Sequence, residues 1–126
     1  MKKTAQLLSL IAVMTLAAFG TASAQKKATT KDQPIMKTYL IERDIPGAGN
    51  LTAADLKGIS QKSCSVLKEM GSGIEWVQSY VTGNKVYCVY KAENEALLKE
   101  HASKGGFPIT NIMEIGSTIS PATASR

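Results

Sequence analysis

The sequence predicts an α+β sandwich: a four-stranded antiparallel sheet with two helices on one face, in the order βαββαβ. Three observations point there. Two stretches, 52–70 and 92–104, carry apolar residues at helical spacing and run into glycine. Gly83-Asn84 joins two apolar, aromatic runs as a hairpin dipeptide. Runs with strand character, 37–43 and 111–119, supply the outer pair of strands.

Lys37 to Arg43 is rich in aromatic and β-branched residues and reads as the first strand. Pro46-Gly47-Ala48-Gly49-Asn50 is a loop by its turn chemistry. Thr52 is a good N-cap, and Asp55 three residues on favours the positive end of the helix dipole. Leu56, Ile59, Ser63, Val66, Leu67 and Met70 form one inward stripe, and Gly71 and Gly73 stop the helix. Ile74 to Val81 is the second strand and Val86 to Tyr90 the third.

A two-residue turn places Val81 opposite Val86, Ser79 opposite Cys88 and Val77 opposite Tyr90. Tyr80, Gln78 and Trp76 then share the other face with Tyr87 and Val89. The second helix, 92–104, turns Ala96, Leu97, His101 and Ala102 inward. The fourth strand, 111–119, contains Gly116, where a bulge is expected. This split βαβ order is that of the ferredoxin-like sandwich. Tyr39-Leu40-Ile41 and the run from Val86 to Tyr90 are apolar or aromatic on both sides, which a solvated sheet face is not. A homodimer covering that face is therefore expected.

The start of the chain is a targeting signal by pattern. Lys2 and Lys3 precede a short apolar run from Leu7 to Phe19, and Ala22-Ser23-Ala24 supplies a small-x-small cleavage site. That run is too short to span a bilayer, and no cysteine follows the cut to take a lipid. Residues 1–24 are read as a cleaved signal peptide, 25–36 as a lysine-rich tether, 37–120 as the domain and 121–126 as a frayed tail. The mature chain is expected in the periplasm or outside the cell, with no membrane association. Losing Lys2 and Lys3 lowers the formal charge from +5 to +3, thirteen Lys and Arg against ten Asp and Glu. Those bases are spread along the chain, so nucleic acid is not an expected partner.

Few residues can carry chemistry. His101 is the sole histidine. On the inward side of its helix it is either a hydrogen-bonded core residue or a metal ligand or base. No H-x-x-x-H, C-x-x-C or E-x-x-H spacing accompanies it. Glu42 sits mid-strand among apolar residues and is a second candidate ligand, and Cys88 is a third. Crossover geometry sets Cys64 near Cys88, leaving a disulfide and a pair of packing thiols both open. Tyr80, Tyr87 and Tyr90 are aromatic packing, and Gly105-Gly106-Phe107-Pro108 is a helix stop placed to close a pocket beside His101.

Several of these runs occur together in one known family. They are Tyr39 to Gly47, Ile59 to Cys64, Trp76 to Val81, Val86 to Tyr90, and His101-Ala102 followed by Gly106-Phe107-Pro108. In them the chain resembles a family of small ferredoxin-like bacterial proteins catalogued as a domain of unknown function. One member, from an actinomycete, is described as a nickel-binding protein. The likeness spans 37 to about 122 and implies a homodimer that binds nickel or another divalent transition metal. It implies no ligand set residue by residue. The export signal and the lysine-rich tether are departures from the family.

The reading is an exported homodimeric metal-binding protein, with His101, Glu42 and Cys88 as candidate ligands. Its alternatives are a dimeric α/β-barrel enzyme or binder of haem or a small aromatic ligand, and a partner-binding module without a site. Cleavage is expected between Ala24 and Gln25, so the intact mass of exported protein should match a chain beginning at Gln25. Full-length protein anchored in the inner membrane would contradict it.

Overall fold

The structure is a computed structural model and describes residues 33–126. The expected signal peptide at 1–24 and the tether through residue 32 lie outside the described residues. Strand β1 (Lys37–Asp44) leads through a 3-10 turn at Ala48–Asn50 into helix α1 (Ala53–Met70). Strands β2 (Ile74–Val81) and β3 (Lys85–Ala92) form the hairpin, and α2 (Glu95–Gly105) and β4 (Asn111–Glu114) complete the domain. The sheet runs β2-β3-β1-β4 with every pair antiparallel. This is the expected ferredoxin-like order.

Local chemistry fixes the ends. Thr52 and Asp55 cap α1 reciprocally: the Thr52 hydroxyl accepts the Asp55 N–H at 3.1 Å and the Asp55 carboxylate accepts the Thr52 N–H at 2.8 Å. Gly71, at φ 77, ends the helix where a side chain would be strained. Alternation along β1 buries Tyr39, Ile41 and Arg43 beneath the helices and leaves Leu40 and Glu42 on the opposite face. Tyr39, Ile41, Ile74, Tyr90, Ala92 and Leu98 form the core, and burying a residue such as Leu98 contributes about 1.5–3 kcal/mol.

Four boundaries or registers differ from the sequence reading. Helix α2 starts at Glu95, because Ala92 pairs with both Lys37 and Ile74 and so belongs to β3, while Asn94 caps the helix by accepting the Leu97 N–H at 3.2 Å. Its inward side is accordingly Leu98, His101, Ala102 and Gly105, with Leu97 only half-buried and Ala96 exposed. Strand β4 ends at Glu114 and not near Ile119. Glu114 lies opposite Tyr39, close to where β1 begins, and one last bond joins the Ile115 N–H to the Thr38 carbonyl at 2.8 Å. Gly116 therefore lies beyond the sheet. The tail at Pro121–Ser125 forms an exposed 3-10 turn.

The fourth difference matters most for function. The hairpin register is as expected from Val81–Val86 to Gln78–Val89, but Val77 then bulges and Trp76 pairs with Tyr90. The extra residue rotates Trp76 onto the helix-covered face. The two thiols are also apart in character: Cys64 is exposed on α1, Cys88 is buried in the sheet, and neither is in a disulfide.

Gly105 packs against Phe107 so closely that a Cβ there would come within 2.2 Å of a ring carbon. Phe107 is in turn held against His101 and Arg43. Gly105→Ala is expected to cost about 1–3 kcal/mol by overpacking. Urea denaturation checks this, and an unchanged midpoint would show that the ring moves aside freely.

Candidate functional site

The helix-covered side of the sheet is not filled throughout. The C-terminal half of α1 seats Val66 and Leu67 on or against the core. Its N-terminal half stands over a cleft of about 540 Å³, walled by Leu56, Ile59, Ser60 and Ser63 and floored by side chains of β1, β2 and β3. A volume of this size suits a small organic ligand. The Val77 bulge contributes directly, since it swings Trp76 into the lining, where the indole N–H donates to the Ser79 hydroxyl at 2.9 Å.

The lining is largely apolar, with a polar cluster at its floor. Arg43 is 3% exposed. Its Nε donates to Cys88 Sγ at 3.4 Å, its Nη1 to the Pro108 carbonyl at 2.6 Å, and its guanidinium lies 5.6 Å from the Phe107 ring centroid. Nη2 is buried and makes no hydrogen bond among the described residues. Among the described residues no carboxylate pairs with this guanidinium.

His101 lies just behind, fully buried between Tyr90 and Phe107, whose ring centroids are 5.3 and 5.4 Å away. Its Nε2 meets the Ser63 hydroxyl at 3.1 Å, and Nδ1 has no partner. Burial lowers the imidazole pKa below its usual value, and the Arg43 charge lowers it further, with the Ser63 backbone opposing. Burial also raises the Tyr90 phenol. Both rings are therefore neutral at pH 7.

Ser63 and His101 have the spacing of a nucleophile and its base, but among the described residues the third member is absent. No side chain orients Nδ1, and an unpartnered lone pair costs less there than an unpartnered N–H. The hydrogen consequently belongs on Nε2, aimed at Ser63, which leaves the imidazole no lone pair towards the hydroxyl.

The three candidate ligands do not converge. His101 and Cys88 lie on the helix-covered side, whereas Glu42 points from the opposite face. There it forms an ion pair with Lys85, which also bonds Asp44 at 3.2 Å, and these two carboxylates hold the Lys85 ammonium above its usual range. The reason is strand alternation: Glu42 follows Ile41 and precedes Arg43, both buried under the helices. Among the described residues no three His, Cys, Asp or Glu side chains could hold a metal ion together. The Arg43 charge beside Cys88 further disfavours a cation at that point.

Arg43 and Ser63 escaped the sequence reading as site residues. The signal for Arg43 was present, since Tyr39, Ile41 and Arg43 share a face by alternation. The position of Trp76 was not legible, because nothing in the hairpin sequence marks Val77 as the bulge.

Residues 39–115 match the family described as nickel responsive protein SCO4226-like. The chain belongs to that family. Among solved structures it is similar to SCO4226 from Streptomyces coelicolor A3(2), at 14% identity and a TM-score of 0.56 over 65% of this chain and 99% of that one. That likeness supports the fold. No curated protein matches the chain.

Because the folded-state pKa of His101 lies below the unfolded value of 6.5, its contribution to stability is complete above that pH and is lost as pH falls through the lowered value. Stability should therefore drop between pH 7 and pH 5, before most carboxylates titrate. Urea titrations at both pH values, with His101→Gln as control, check this, and an equal drop in the variant would assign the loss to other groups.

Proposed function

We propose that this protein is an exported, homodimeric binding protein serving a nickel-linked response, with the cleft under α1 as its ligand site. The observation that carries binding is that cleft, a sizeable apolar recess with polar groups at one end. Family membership supports the nickel connection. Export is supported by the n-region, apolar run and Ala-x-Ala pattern of residues 1–24. Dimerisation is supported by the face opposite the helices, where Leu40, Tyr87 and Val89 are only half-buried beside Tyr80, which is 54% exposed. Catalysis is not part of this reading, since Ser63–His101 lacks an orienting group.

A second reading places nickel or another divalent metal at His101, and the unpartnered Nδ1 is the observation that favours it. One chain then supplies a single imidazole, and Glu42 is no ligand of the same ion.

A neutral apolar dye, N-phenylnaphthylamine, tests the first reading. Binding of one dye per subunit should quench Trp76, the only tryptophan, and Ser60→Leu should abolish the effect by filling the cleft. Ser60 suits the purpose because its hydroxyl bonds only to the Leu56 carbonyl one turn back. Undiminished dye binding by that variant would reject the cleft as the site. Light scattering of the mature protein should give twice the chain mass at micromolar concentration. Calorimetric nickel titration of untagged protein decides the second reading: it stands only if binding is lost in folded His101→Ala and kept in Glu42→Gln.

A further inference from the structure

We propose that the cleft takes an amphipathic carboxylate, its apolar body against Trp76 and Leu56 and its charged end on Arg43. This rests on the cleft being a ligand site and names the class of ligand. The Arg43 guanidinium stays charged in any protein environment. A charge buried this deeply is costly unless an opposite charge or a full set of hydrogen bonds meets it. Arg43 has neither. Its partners are a thiol, which accepts only weakly, a backbone carbonyl and the face of an aromatic ring, with the neutral Tyr90 hydroxyl close by. One terminal nitrogen remains unbonded.

The neighbours do not supply the missing anion. Tyr90 and His101 are held neutral by burial, and among the described residues the carboxylates nearest in sequence, Glu42 and Asp44, are both engaged with Lys85 on the other face. Arg43 lines the cleft, so the anion can come from a molecule bound there. Ser63 in the wall and Tyr90 in the floor also line the cleft, and each carries a hydroxyl donor. No lysine joins the lining, and a single guanidinium matches the single charge of a carboxylate better than a phosphate dianion. The rest of the lining, with Trp76, Leu56, Ile59 and Val86, fits an alkyl chain or aromatic ring and not a polar metabolite.

Decanoate and 1-decanol, matched in apolar length and differing in charge, test the assignment on the full mature protein at pH 7.5 with Trp76 emission as readout. A charge-assisted hydrogen bond in a dry site should favour the acid by about tenfold or more. Folded Arg43→Gln should erase the preference by weakening decanoate alone. Should that variant fail to fold, Ser60→Leu, which leaves Arg43 in place, should block both probes. Equal affinities in the unmodified protein would overturn the carboxylate assignment while leaving the cleft as an apolar site. Failure of both probes and of the neutral dye would remove the cleft reading itself.

Discussion

The buried guanidinium of Arg43 is the constraint on which the rest of this structure depends. It stands on β1 at the centre of the sheet, ties the loop after α2 to that strand through Pro108, and stacks beneath Phe107. Phe107 in turn closes over His101 and packs against Gly105. The loop, the end of α2 and the floor of the cleft therefore share one charged anchor. A charge in that position is unfavourable in an empty apolar interior, and its retention is most simply understood as serving an anion.

Space for such an anion comes from two departures from ideal packing. Helix α1 presses on the core with its C-terminal half and stands clear of the sheet with its N-terminal half. The Val77 bulge then turns Trp76 into that space from β2. An edge strand such as β2 tolerates a bulge because only one neighbour loses register. The result is a recess with an apolar wall and one charged end, and a small amphipathic molecule has the same division.

This electrostatic arrangement bears on the nickel connection of the family. A divalent cation gains from anionic or imidazole donors and loses beside a fixed positive charge. Here the only imidazole is buried and held neutral next to Arg43, and the carboxylates flanking Arg43, Glu42 and Asp44, face the other way. Within one chain the floor of the cleft is better suited to a negative group than to a metal ion. A link to nickel through a bound organic ligand or a second subunit is compatible with that field, and among the described residues of one subunit no three His, Cys, Asp or Glu side chains could hold the ion together.

Much of the fold was written locally. Thr52 and Asp55 announce the start of α1, Gly71 its end, and Gly83-Asn84 the hairpin, because caps and tight turns depend on residues a few positions apart. Alternation along β1 already put Ile41 and Arg43 on one face and Glu42 on the other, so the separation of Glu42 from His101 was legible in principle. The sequence by itself thus determined the βαββαβ order, the burial of His101 and the absence of a recognisable metal motif. Only the tertiary structure decided that Trp76 faces the helices, that β4 stops at Glu114, and that Cys64 and Cys88 do not meet. It alone brought Arg43 and Tyr90 on the sheet and Ser63 on α1 to one cleft beneath a partly lifted helix. These outcomes depend on how α1 settles on the sheet and where β2 absorbs an extra residue, and both are set by packing between distant segments rather than by any short run of the chain.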